Sequence, residues 1–166
     1  MAPPCASREQ RSGQRGGGRV REGRAALRAA APFTSLRLWR EQQDGKDIGF
    51  VPTMGALHEG HLSLIRRARK VAGAKGIVVV SIYVNPTQFN DGKDLRAYPR
   101  PMAADKKLCR AEGVDVVFAP KSLYEKDASV SIDETAVSLG MEGAARAGHF
   151  CGVATVVVKL CNLVQP

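Results

Sequence analysis

The sequence predicts an α/β protein: a Rossmann-like three-layer sandwich in which helices cover both faces of a parallel sheet. Three observations carry that reading. A short β-like run at 47–51 passes through a glycine turn straight into an amphipathic helix. The segment from Ile77 to Val84 is almost continuously β-branched, the composition of a parallel strand buried on both faces. A third apolar run, Val114 to Phe118, follows a further helical segment, so strands and helices alternate as in a doubly wound sheet.

Taken in chain order, residues 1–33 come first as a basic extension. Residues 1–32 hold seven arginines against Glu9 and Glu22, are glycine-rich around Arg15 to Arg19, and contain almost no large apolar side chain. Such a stretch cannot bury enough surface to offset the entropy of ordering, so it is expected to be disordered. Its arginines are compatible with an organelle transit peptide, although serine is scarce, and with salt-sensitive contact to RNA phosphates. A solvated tail without a role is the plain alternative. The folded domain is expected over 34–166. Leu36, Leu38 and Trp39 suggest a short helix closed by Asp44-Gly45, and the first strand follows. Beyond Gly60, apolar positions at His61, Leu64, Ile65, Ala68 and Val71 give the i, i+3, i+4, i+7 spacing of a helix with one buried face. Gly73 and Gly76 end it. Asn85-Pro86 stops the second strand, Met102 to Glu112 reads as a helix stopped by Gly113, and a last helix is expected from Val153 to Val164.

The chain has 166 residues, enough for one ordinary core, and a net charge of +9, more than half of it in the first 32 residues. No run approaches the roughly 20 apolar residues of a membrane helix, which excludes a membrane partner of that kind. Cys5, Cys109, Cys151 and Cys161 show neither metal-ligand spacing nor a dense disulfide framework, so reduced thiols and a cytoplasmic location are expected, or an organelle if the arginine-rich start is a transit peptide.

The chemistry concentrates at the first strand-to-helix junction, Pro52-Thr53-Met54-Gly55-Ala56-Leu57-His58-Glu59-Gly60-His61. A helix start presents unpaired backbone N–H groups and the positive end of the dipole, which together suit a phosphate. His58 and His61, three residues apart, add two side-chain donors, and Gly55 and Gly60 allow close approach of a ligand. A histidine pair of this spacing can also be purely structural. A metal reading lacks a third ligand at a convincing spacing. Asp105, near the start of a helix, is the one acid that could approach magnesium, though a solvated carboxylate favoured by the dipole is the simpler reading. Asn85, Thr87 and Gln88 follow the second strand, at the carboxyl edge where ligands gather in open α/β sheets.

The junction resembles the signature of the pantoate–β-alanine ligases, which carry the His-x-Gly-His element of the nucleotidyltransferase superfamily. The resemblance continues through Val79 to Phe89, Asp94 to Arg100, Val114 to Pro120, Met141 to Gly143, Gly148 to Phe150, Gly152 to Thr155 and Leu163 to Pro166, covering roughly positions 36 to 166. It implies an ATP-dependent ligase of pantothenate and coenzyme A biosynthesis that condenses pantoate with β-alanine through a pantoyl-adenylate, releasing pyrophosphate and AMP, with Mg2+ as cofactor and a homodimeric full-length form. By the same resemblance Pro52 to His61 bind ATP, His61 is the catalytic proton donor with His58 as partner, and Gln88 and Met54 hold pantoate and β-alanine. Tyr98, Arg100, Arg146, His149 and Asn85 are further candidates, each with a loop-ordering alternative. Cys151 stands where many members have arginine. The family pattern extends past Gln165-Pro166 into a lysine-bearing segment and a smaller closing domain, so this chain is expected to be a weak or inactive ligase by itself. A non-catalytic nucleotide-binding fragment and a basic RNA-associated module are the alternatives from other classes.

Overall fold

The structure, a computed structural model, describes residues 28–30, 33–140 and 142–166. Four parallel strands, β1 (Arg28–Ala30), β2 (Ile48–Thr53), β3 (Ile77–Ile82) and β4 (Val116–Phe118), form one sheet in the order β1-β4-β3-β2. Helices α1 (Phe33–Glu41), α2 (Glu59–Ala72), α3 (Gly92–Ala97), α4 (Met102–Ala111), α5 (Glu142–Ala145) and α6 (His149–Val164) complete the fold. The chain enters at one edge, crosses the sheet through α1 to the opposite edge, and then steps back strand by strand through β2, β3 and β4.

Alternation along β3 explains the layers. Ile77 and Val79 pack with Leu36 of α1 and Val156, Leu160 and Val164 of α6 on one face. Val78, Val80 and Ile82 pack with Ile65 of α2 and Cys109 of α4 on the other. Every residue of β3 is buried, as its continuous β-branched composition predicts. Arg69 of α2 donates to the carbonyls of Gly76 (2.7 Å) and Gly113 (3.1 Å) and pairs with Asp115, tying the amino ends of β3 and β4 to the helix above them.

Several boundaries differ from the sequence reading. Arg28–Ala30 lies inside the segment expected to stay unfolded, yet pairs in parallel with Val116–Phe118 as an edge strand, so the folded part begins earlier than residue 34. The rest of that extension is outside the described residues. The buried face of α2 is also rotated. Leu64 and Val71 are 54% and 69% exposed, while Ile65 and Ala72 are buried with Leu62 and Ala68 packed beside them. A Cβ on Gly49 would stand 2.9 Å from the Ala68 carbonyl oxygen, so β2 and α2 touch backbone to backbone at Ala68, a position common to the expected and the observed stripe. Helix α6 starts at His149, after Gly148 in a left-handed conformation (φ +75°), which puts His149 on a helix rather than in a loop.

Candidate functional site

Because all strands run the same way, the ends of β2, β3 and β4 open on one edge. Thr53, the last residue of β2, donates through Oγ1 to the Ser81 carbonyl (2.7 Å) and accepts from Gly55 N–H (3.2 Å), which fixes where the strand becomes a turn. Gly55 (φ +85°) and Ala56 (φ +51°) are both left-handed. For an alanine that conformation costs roughly 1–2 kcal/mol. What holds it is Asp105 of α4, 1% exposed. Its Oδ2 accepts from Ala56 N–H (3.0 Å) and its Oδ1 from Leu57 N–H (2.8 Å). Asp105 is therefore a buried carboxylate engaged by the backbone, not the solvated acid the sequence suggested. Among the described residues no group of three or more His, Cys, Asp or Glu side chains could hold a metal ion.

The turn passes into α2 through a reciprocal cap. His58 is the N-cap; its Nδ1 accepts from Gly60 N–H (3.1 Å), and His61 Nδ1 accepts from His58 N–H (3.4 Å). A ring nitrogen that accepts cannot carry a hydrogen, so both imidazoles are the Nε2–H tautomer in these contacts. The rings lie 4.2 Å apart, tilted by 52°. Burial, and then the neighbouring His58, push the His61 pKa below its ordinary value, with Asp105 opposing. The helix start thus differs from the simple picture of free N–H groups: the imidazoles take two of those donors and supply Nε2–H instead. Glu59, in the same turn, pairs with Arg66.

Two clefts meet at Met54. One, of about 410 Å³, runs over Gly55, Tyr83, Met102, Asp105 and Lys121. The other, of about 330 Å³, brings together Met54, Gln88, Tyr98, Arg146 and His149, residues scattered over the sequence motifs. His58 and His61 line neither cleft; His58 is exposed and His61 half-buried. Arg100 lines the first cleft, and its guanidinium also donates to the carbonyls of Leu95 (2.8 Å) and Tyr98 (2.9 Å), which orders the end of α3. Arg146 pairs with Glu142 (2.7 Å), and His149 Nδ1 donates to the Gln88 carbonyl (2.9 Å).

Asn85, 1% exposed, sits behind Gln88 rather than in the cleft. Its Nδ2 donates to the Gly152 carbonyl (3.1 Å) and to Gln88 Oε1 (2.9 Å). Its Oδ1 accepts from Thr87 Oγ1 (3.0 Å) and Tyr124 OH (3.1 Å). The Gly152 carbonyl can only accept, so it dictates which end of the Asn85 amide faces it. Gln88 must then present its oxygen to Asn85, which leaves the Gln88 NH2 as the unengaged donor end. Sequence reading set Thr87 at this edge with Asn85 and Gln88, but missed Tyr124, for which no local signal exists. Asp105 did carry one: it shares the inward stripe of α4 with Met102 and Cys109, an unusual place for an acid.

A parallel α/β sheet with a histidine-capped turn at its carboxyl edge defines a class of ligand-binding Rossmann-like domains. Comparison with known proteins narrows it. The family described as Pantoate-beta-alanine ligase matches residues 26–166. The pantothenate synthetase of Akkermansia muciniphila is 47% identical over 145 residues, 86% of this chain and 49% of its own. That of Aquifex aeolicus is 54% identical over 125 residues, 74% of this chain and 43% of its own. Among solved structures, the pantoate-beta-alanine ligase of Francisella tularensis, complexed with beta-gamma ATP and beta-alanine, superimposes with a TM-score of 0.78 at 39% identity, over 85% of this chain and 54% of its own. The chain belongs to the pantoate–β-alanine ligase family, and it spans about half the length of the curated relatives it matches.

Proposed function

We propose that this chain carries the pantoate-activating part of an ATP-dependent ligase that joins pantoate to β-alanine. The observation behind this is that the turn leading from β2 into the two capped imidazoles of α2 also carries Met54, which lines the cleft where Gln88 offers an amide donor. The description of the Francisella relative as complexed with an ATP form and beta-alanine supports the same ligands here. In the first step a pantoate carboxylate oxygen attacks the α-phosphorus of ATP, the bond to the β-phosphate oxygen breaks, and pyrophosphate leaves. The β-alanine nitrogen then attacks the acyl carbon of the adenylate, loses a proton, and AMP departs.

Each residue has a role set by its chemistry. His61 and His58 donate through Nε2–H to phosphate oxygens whose charge grows in the first step, and a positioned donor of this kind is worth about 3–4 kcal/mol in a transition state. Pro52 to Leu57, Glu59 and Gly60 form the wall along the nucleotide, mainly through backbone. The Gln88 NH2, with Met54 beside it, holds the pantoate carboxylate and hydroxyl, and Asn85 fixes its orientation. Tyr98, Arg146 and His149 enclose that end. Among the described residues no cluster of acids, histidines or cysteines fits a protein-borne Mg2+ site, and both oxygens of Asp105 are taken by backbone donors. No step here is routed through the ion.

The test is pantoate-dependent exchange of labelled pyrophosphate into ATP, measured with residues 1–166 joined to the C-terminal half of the Aquifex aeolicus relative. Exchange that requires pantoate is the expected result. Exchange independent of pantoate, or none in a folded chimera that binds ATP, would overturn the reading.

A further inference from the structure

We propose that Asp105 is a positioning residue that holds the 54–58 turn in its ligand-ready shape from beneath, as a backbone tether and not as a metal ligand. Three observations converge on it. Its carboxylate is almost fully buried yet has no cationic partner among its hydrogen bonds; both oxygens go to consecutive backbone donors, Ala56 N–H and Leu57 N–H. Those donors belong to the two residues following Gly55, at the point where the chain is left-handed twice in succession. The space between them is closed: a Cβ on Gly55 would stand 3.0 Å from Asp105 Oδ2 and from Ile82 Cγ2.

The physics makes the tether specific to a carboxylate. A buried ion is unfavourable unless its lone pairs are met by donors, and here the donors are supplied by a turn that no regular strand or helix would produce. In return, the turn's own buried N–H groups find acceptors they would otherwise lack. An asparagine of the same shape has only one acceptor oxygen, so one of the two N–H groups would face an NH2 donor. Asp105 also links α4 to the histidine pair, because the residue that follows Leu57 is the N-cap His58. The conformation that aims His58 and His61 is therefore set partly from a different helix, across about fifty residues of sequence.

Two measurements on residues 1–166 test this. The first is site-resolved amide hydrogen exchange without nucleotide. The Ala56 and Leu57 amides are expected to be protected, and in Asp105→Asn at least one of them should exchange about tenfold or more faster while the amides of β3 stay unchanged. Unprotected Ala56 and Leu57 in the wild-type protein would refute the tether, a result that stands even if the variant fails to fold. Equal loss at β3 in a folded variant would show a global rather than a local role, and would also refute it. The second is titration with manganese alone, where paramagnetic broadening centred on Asp105 would show a metal ligand and overturn the proposal. The consequence for ligand rests on the nucleotide reading above: Asp105→Asn should weaken binding of a methylene-bridged ATP analogue about tenfold. If wild-type protein shows protected amides but no analogue binding, the functional reading fails while the tether holds.

Discussion

At the scale of single residues, the chemistry rests on tautomer and orientation more than on residue type. His61 is expected to matter most. In the chimera with a relative's C-terminal half, His61→Ala should cut pantoyl-adenylate formation about a hundredfold or more, with only a small change in unfolding midpoint, since the proposed role makes His61 a phosphate donor at a half-buried site. Pyrophosphate exchange measures the loss. Gln88→Ala should raise the pantoate concentration needed for half-maximal rate far more than that of ATP. A larger shift in the ATP titration would assign Gln88 to the nucleotide instead. The lowered pKa of His61 also has a sign that can be checked. The unfolded chain takes up this proton first as pH falls, so the stabilising contribution is complete above the ordinary histidine value near 6.5 and is lost as pH drops through the lower folded value. Urea midpoints at pH 7.5 and 5.5 should differ less in His61→Ala than in wild type. The histidines were singled out in the sequence by their spacing at the strand-to-helix turn, and Gln88 by its place after the second strand and the family resemblance. Which nitrogen carries hydrogen, and which end of the Gln88 amide is unengaged, were not, since both follow from contacts with Gly60, His58 and Asn85 formed only in the fold.

At the scale of elements, the strands were read well and the helix faces less so. The β-branched run of β3 survives any context, because burial on both faces is the only arrangement that suits it. The stripe of α2 was misphased: Leu64 and Val71 fit the same period as Ile65 and Ala72, and only packing against the sheet, where Ile65 packs with Val78 and Val80, chooses between them. Edge strand β1 was invisible because Arg28-Ala29-Ala30 carries no strand propensity and gains its place by pairing with β4. This gives a graded prediction. Deleting residues 1–25, which lack apolar periodicity, should leave the thermal transition within error. Deleting residues 1–32 should lower it, because the hydrogen bonds along Val116–Phe118 lose their partner. Equal midpoints for the two deletions would show that the edge strand contributes nothing. Any RNA binding lost with residues 1–25 should fall steeply with salt.

At the scale of the whole molecule, the sandwich is complete on both faces of β3, but the clefts at the carboxyl edge are open. In α6, Val157 and Val158 are 37% and 40% exposed, consistent with an apolar stripe wider than the contacts it makes here. Residues 1–166, assayed alone with ATP, magnesium, pantoate and β-alanine, are expected to turn over far below the order of 1 per second typical of enzymes, because an unclosed cleft admits water and residues that act as a unit lose most of their effect together. A rate near that value would require this half alone to complete the charge stabilisation.

By itself the sequence determined the class of fold, three of the four strands (β2, β3 and β4), the family, and the turn that joins β2 to α2, because each of these is written in local composition and spacing. Tertiary structure decided what those residues do to one another. It turned Asp105 from a surface acid into a buried acceptor for the turn, placed Asn85 behind Gln88 instead of beside it, spent Arg100 on its own helix end, and recruited Arg28–Ala30 into the sheet. The physical reason is common to all four. Each outcome depends on which hydrogen-bonding partner a polar or backbone group meets in the fold: for Asp105, Asn85 and Arg28–Ala30 such partners lie tens of residues away, and for Arg100 they are the nearby carbonyls of Leu95 and Tyr98, a choice that no local pattern makes.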